Sequence, residues 1–268
     1  MANIENGICD IGCLDRMADH NSIIHKLDAR SKVLTTILFI IMVVSTNKYE
    51  IAGLVPFTLM PIILIALADF PFSFFLHKLI LVSPFVLFVA IFNPFFDQAP
   101  LCKLGHFTIS GGWVSFLSII LRFCLTVTAA LVLIASTGFP QVCRALEQLG
   151  VPKVFTIQLL FLYRYIFVLL EEGTRMIRSH NLRSFGRKIH LRVYKHLAGN
   201  LLLRTLDRAN RIHMAMLCRG FDGEIRSLNT DKFNRSDYIF TITTCSLVVI
   251  FRLVNLPQFA GTLFIRLF

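Results

Sequence analysis

Two arginines, Arg183 and Arg219, stand 36 residues apart in near-copies of one short pattern, Arg183-Ser184-Phe185-Gly186 and Arg219-Gly220-Phe221-Asp222-Gly223. Each closes a basic, amphipathic run. A guanidinium is a planar fork of donors that grips a carboxylate, or a set of backbone carbonyls, through paired hydrogen bonds. In the last turn of a helix it is also favoured by the macrodipole. Ser184 and Gly220 are small enough for a partner backbone to come close, and Phe185 and Phe221 place an apolar anchor beside each cation. One arginine ahead of a small residue is ordinary helix capping. Two, at the ends of successive helices, point to a surface that another protein grips.

The elements that position these arginines follow from composition and charge. The chain has 268 residues, 55% of them hydrophobic, with 26 phenylalanines, and its mean hydropathy is +0.68. A soluble domain of this length is not normally so apolar, and the bilayer is the expected solvent. A spanning helix needs about 20 predominantly apolar residues. Five stretches approach that length: 33–46, 50–69, 76–96, 113–136 and 238–256. A sixth, 151–170, is apolar but carries Lys153 and Arg164, and the tail 259–268 is too short to span. The start of the chain has no apolar core, so no cleavable signal peptide is expected and the first membrane helix directs insertion.

The net charge is +11, and fourteen of the 27 Lys and Arg residues lie in 171–237. Positive residues stay in the cytoplasm, which places this block there. Lys26, Arg30 and Lys32 ahead of the first apolar run likewise place the amino terminus inside. If 151–170 crossed, the basic block would be outside, so this segment is expected to lie in the interface as a long helix running to about residue 185. Gly150-Val151-Pro152 marks its start. Gly173 weakens it by about 1 kcal/mol without stopping it. Arg164, between Tyr163 and Tyr165, is expected to snorkel or pair. A second helix, 190–219, shows an apolar stripe at Tyr194, Ala198, Leu201, Leu202, Leu206, Ala209, Ile212 and Met216, and ends at Gly220, a C-cap glycine. A short amphipathic helix, 140–149, precedes both.

Several segments resemble one family. His25-Lys26-Leu27-Asp28-Ala29-Arg30-Ser31-Lys32 is similar to an opening His-x-Leu-Asp-Pro-Arg-x-Lys, with Ala29 in place of Pro. Thr137-Gly138-Phe139-Pro140, Leu149-Gly150-Val151-Pro152 and Tyr163-Arg164-Tyr165 are similar to further family segments. The chain as a whole resembles the T component, the transmembrane coupling subunit, of energy-coupling-factor ABC importers, and most of all its cobalt-type CbiQ branch. Members of that family bear two Ala-Arg-Gly motifs at the ends of long coupling helices, which seat in grooves of two ATPase subunits. The matching positions here are Leu182-Arg183-Ser184 and Cys218-Arg219-Gly220. Both depart from Ala at the first position, and the first also departs from Gly.

The resemblance implies an all-α integral membrane protein of about five transmembrane helices with a cytoplasmic coupling domain of three amphipathic helices. Its expected organisation is an amino-terminal segment with helices one to four (1–136), the coupling domain (137–237), and a final membrane helix and tail (238–268). It further implies a non-catalytic subunit of a bacterial or archaeal cytoplasmic membrane. Its partners would be two ABC ATPases and a separate substrate-binding membrane subunit, with cobalt or nickel as the cargo implied by the branch and a vitamin left open. Arg183, Ser184, Arg219 and Gly220 would form the ATPase-docking positions. No cofactor is implied.

Other constellations were weighed against plainer readings. Cys9, Cys13, His20 and His25 include soft and borderline metal ligands, but CxxxC is loose spacing with no second Cys pair, and a capping amino-terminal segment explains them as well. The seven cysteines are scattered and imply no disulfide framework. Arg122 falls inside the fourth apolar run, where a charge is a functional candidate by default. A structural ion pair with Asp97 or Asp69 and a role in coupling are both open for it. Asp28, Arg30 and Lys32 either tie the amino terminus to the coupling helices or anchor it to the membrane by charge. The prolines in the apolar runs, Pro56, Pro61, Pro84 and Pro94, predict kinked helices. No phosphate-binding Lys loop, GxSxG, HExxH or GxGxxG occurs, which gives ATP hydrolysis and the common catalytic schemes no support. A substrate-binding ABC permease and a membrane-bound lipid-modifying enzyme remain as alternatives. Nucleic acid is not expected, because the basic helices carry no interleaved stacking aromatics.

Overall fold

The structure, a computed structural model, describes residues 18, 22, 24–47, 51–96, 100–104, 107–185, 191–223 and 233–253. They fall into two compact units, one within Phe139–Thr230 and the other within Asp15–Gly138 and Asp231–Phe268.

The larger unit is an apolar helical bundle. Helix α1 (Ala29–Val44) begins at Asp28, whose side chain accepts the N–H of Arg30 as an N-cap. The chain then makes two 3-10 turns, Ala52–Leu54 and Pro56–Thr58, and a nine-residue helix α2 (Leu59–Leu67). A continuous span over 50–69 is therefore replaced by a broken, shorter segment. Pro56 and Pro61 each lack the N–H that an uninterrupted helix would need. Helix α3 (Phe72–Ala90) starts straight after Pro71, four residues ahead of the expected stretch 76–96, and takes in Lys78. A four-residue turn of helix, α4 (Asn93–Phe96), leads to a two-stranded antiparallel hairpin, β1 (Pro100–Leu104) and β2 (Phe107–Ser110).

Helix α5 (Gly111–Thr137) is the hub of the bundle, touching α1, α2, α3 and α4. Gly111, Gly112, Ser115 and Ser118 on its first turns are buried; small residues there let neighbouring backbones approach closely. Helix α9 (Arg235–Leu253) packs along α1. The core at their junction is Phe39, Val43, Leu54, Phe57, Met60, Leu125, Ala129 and Val248, with Phe57 edge-on to both Phe39 and Phe251. Around it the bundle exposes a belt of aliphatic and aromatic side chains, among them Ile41, Ile62, Phe85, Phe88 and Ile242. Exposed apolar surface on this scale belongs in lipid.

The smaller unit contains α6 (Phe139–Gln148), α7 (Lys153–Arg183) and α8 (Leu191–Cys218). Gly150, at φ 105°, ends α6 in a Schellman turn: its N–H donates to Glu147 O and that of Val151 to Leu146 O, both at 3.1 Å. Pro152 then opens α7, which runs unbroken through Gly173 as expected. Phe139 stacks on Tyr163, with ring centroids 4.7 Å apart, and so fixes α6 against α7.

Four helices are long and apolar enough to cross a membrane: Phe72–Ala90, Gly111–Thr137, Lys153–Arg183 and Arg235–Leu253. Three of them correspond to expected spans. Helix α7 meets the same criterion of length and hydropathy, although the charge bias argues that its apolar half lies in the interface. The chain is a multi-pass membrane protein of helical architecture.

Candidate partner-docking site

The two arginines come from helix ends built differently. Arg219 is the cap residue of α8. Gly220 follows at φ 75°, its N–H donating to Leu217 O, while the N–H of Phe221 donates to Met216 O, both at 3.0 Å. These bonds make a complete Schellman motif, and Phe221 is folded back to half-burial. At the end of α7 the chain stays helical one residue longer past the arginine. Arg183 is the last helical residue, and Ser184 is the cap, its N–H donating to His180 O at 2.9 Å. The left-handed position falls on Phe185, at φ 52°. The sequence repeat is thus out of register by one residue with respect to the caps. Arg183, Arg219 and Gly220 are exposed, Ser184 is half-buried, and Phe185 is 96% exposed.

The helices also carry the arginines away from their mutual contact. Helices α7 and α8 touch where Arg204 Nη1 donates to Glu172 Oε1 at 2.9 Å and where Gly173 faces Leu201. From that contact Arg183 lies roughly 15 Å along α7 and Arg219 roughly 27 Å along α8, at 1.5 Å per residue. The two arginines thus stand beyond that contact, at the ends of separate helices.

Little of either arm is covered. In α8 only Val193, Leu197, Leu201, Thr205, Ile212 and Met216 are half-buried among the described residues. Leu201, Ile212 and Met216 belong to the expected stripe, while Tyr194, Leu202 and Leu206 from that stripe stand exposed. One neighbouring helix can cover only a narrow seam. Arg164 is exposed on α7, in keeping with a side chain that snorkels. At Gly173 a methyl group would meet only Leu201 Cδ2, at 3.8 Å, an ordinary contact. Gly173→Ala is therefore expected to stabilise this unit by about 1 kcal/mol, measured as a higher melting temperature in detergent. A lower one would mean that the helices approach each other more closely than described.

The segment Asp28–Lys32 finds its partners within the bundle. Asp237, in the first turn of α9 and 4% exposed, accepts the N–H of Asp28 on Oδ1 at 2.9 Å and that of Asn234 on Oδ2 at 2.8 Å. Lys32, also 4% exposed, donates from Nζ to Ser136 O near the end of α5 at 3.1 Å. Burial pushes the Lys32 ammonium down to about 8, against the opposing pull of Asp237 and Asp28. Asp237 was missed by sequence reasoning. An acidic residue in the first turn of an apolar helix, beside Arg235, was the available signal.

Arg122 does not pair with a carboxylate among the described residues. Its Nη2 donates to Thr46 O at 2.7 Å, just past the end of α1. Asp97, one suggested partner, lies outside the described residues, as do Cys9, Cys13 and His20. His25 Nδ1 is within 2.6 Å of Ser22 Oγ, and its ring is edge-on to Phe70.

A bundle of apolar helices together with a unit of long basic helices, in one chain, defines a multi-pass membrane protein. The profile of the cobalt transport protein family, CbiQ, matches residues 20–229, and the chain belongs to that family. It is 29% identical to the energy-coupling factor transporter transmembrane protein EcfT of Streptococcus equi subsp. equi, over 78% of this chain and 83% of that protein. It is 28% identical to the protein of the same name from Brevibacillus brevis, over 85% and 92%. An uncharacterized protein of Methanocaldococcus jannaschii is 26% identical over 86% and 83%.

Proposed function

We propose that this chain is the transmembrane coupling subunit of an energy-coupling-factor importer, passing ATP-driven motion of two ATPase subunits to a separate substrate-binding membrane protein. The observation that carries this reading is the pair of exposed arginines at the ends of two separate long helices. Two cations so placed suit two separate acceptors better than one. Family membership and the names of the relatives support the same role. The branch favours cobalt or nickel as cargo, and residues 137–237 serve as the coupling domain. The basic block sets the orientation, with the amino terminus and the coupling domain in the cytoplasm. Catalysis of ATP hydrolysis belongs to the partners.

The test is affinity capture of the tagged chain from its native membrane, with and without charge reversal at Arg183 and Arg219. Co-purification of an ATPase pair, lost on reversal, is the expected outcome. Absence of any ATPase from folded wild-type protein would return the permease reading, in which the chain binds substrate itself.

Phe185 supplies a separate check. A non-glycine residue in the left-handed region costs roughly 1–2 kcal/mol, and at 96% exposure no packing among the described residues offsets that. Such strain is often kept for contact with a partner. Phe185→Gly is expected to raise thermal stability by up to about 1 kcal/mol and to lower ATPase capture. If both rise together, Phe185 makes no contact with the ATPase.

A further inference from the structure

At the carboxyl ends of α1 and α9 two cations meet with no carboxylate partner among the described residues. Arg122 of α5 donates to Thr46 O at 2.7 Å, and Arg252, at the end of α9, donates to Ser45 O at 2.9 Å. Two helices thus send guanidiniums onto consecutive carbonyls at the carboxyl end of α1. The partial negative charge of a helix end attracts one cation, but it amounts to about half an elementary charge. Two full charges are more than it neutralises, and they are held on adjacent carbonyls. Each guanidinium has five N–H donors. One on each is used by the α1 carbonyls, and Arg122 Nε is buried with no acceptor among the described residues. The charge and the donors both call for an anion.

The surroundings indicate what carries it. Ile41 and Val44 of α1, and Ile250 and Leu253 of α9, flank the pair and are exposed. Branched aliphatic side chains next to a cation pair form a surface for an acyl chain below a charged headgroup. The pair lies at the opposite end of α1 and α9 from Lys32 and Asp237, and midway along α5, about 21 Å from Ser136, so it faces the leaflet remote from that cluster. This assignment is independent of the ATPase-docking proposal.

We propose that Arg122 and Arg252 together bind the phosphate of an anionic phospholipid in that leaflet. The lipid neutralises the surplus charge and clamps α1, α5 and α9 at the end where no ion pair joins them among the described residues.

The test is native mass spectrometry of the full-length chain released from mixed micelles of phosphatidylglycerol and phosphatidylcholine. The wild-type protein is expected to retain one phosphatidylglycerol about tenfold more tightly than phosphatidylcholine, the size of effect for a charge-assisted contact. Arg252→Gln and Arg122→Gln should each remove most of that preference, while Arg175→Gln, an exposed arginine of α7, should leave it intact. Equal retention of the two lipids by the wild-type protein overturns the proposal, and this arm stands even if a variant does not fold. Preference that survives both glutamine substitutions also overturns it. Displacement of the lipid by millimolar inorganic phosphate would place a free anion at the site and overturn the lipid assignment.

Discussion

Reversing both Arg183 and Arg219 to Glu is expected to abolish ATP-driven uptake and the capture of ATPase subunits, while the chain remains inserted and its melting temperature holds. Both arginines are exposed, and they stand at helix ends where neither supports a core contact. Substitution should therefore act on assembly and leave the fold intact. A buried interfacial arginine commonly contributes 2 kcal/mol or more, on the order of thirty-fold in affinity. Glutamate adds repulsion where an acceptor carboxylate or carbonyl waits. The arms are separate, so each single reversal should weaken capture by about that factor, and the two effects should nearly add. The caps differ, however. Arg219 sits on a rigid Schellman turn, and Arg183 precedes a strained Phe185. The two single variants are thus expected to differ in residual capture. Wild-type uptake by the double variant would disprove docking through these positions.

Asp237→Ala is expected to destabilise the bundle by about 3–5 kcal/mol, the usual cost of stripping a buried charge of its partner. The substitution strands the N–H groups of Asp28 and Asn234 and leaves Lys32 buried without its stronger counter-charge. Asp237→Asn keeps one oxygen acceptor and should cost less. Adding Lys32→Met to Asp237→Ala should recover part of the loss, because the unpaired ammonium is then gone. Thermal unfolding in detergent measures all three, and unchanged stability of Asp237→Ala would show that the cluster holds nothing together. The same lysine gives a pH dependence. Its value in the fold, about 8, lies below its ordinary 10.5. Between those limits the unfolded chain keeps a proton that the folded chain has released, so stability should rise as pH climbs from 8 towards 10.5. Below 8 both states are charged and this contribution is flat. Lys32→Met should remove the rise.

Local signals were strong wherever one helix decided the outcome. The apolar runs at 113–136 and 238–256 reappear as α5 and α9 within a few residues. Gly150 and Gly220 stop helices because only glycine takes those positive φ values without cost. Proline acted as its pattern predicts: 50–69 has the composition of a span, and Pro56 and Pro61 divide it into 3-10 turns and a short helix. Local reading failed at the tip of α7, where two similar arginine-led sequences predicted similar caps and the helix ran one residue further.

Composition and charge, which are properties of the chain alone, determined that this is a helical membrane protein and that its basic surface is gathered on helices between the apolar runs. The spacing of Arg183 and Arg219 marked the docking candidates. Which charges meet was decided only by tertiary structure. Asp237 lies 209 residues from Asp28 in the chain, and Arg252 lies 207 from Ser45. Such pairs have no local periodicity to betray them. They come together because α1 and α9 pack side by side, and the low-dielectric interior then makes every unpaired group costly enough to require a partner.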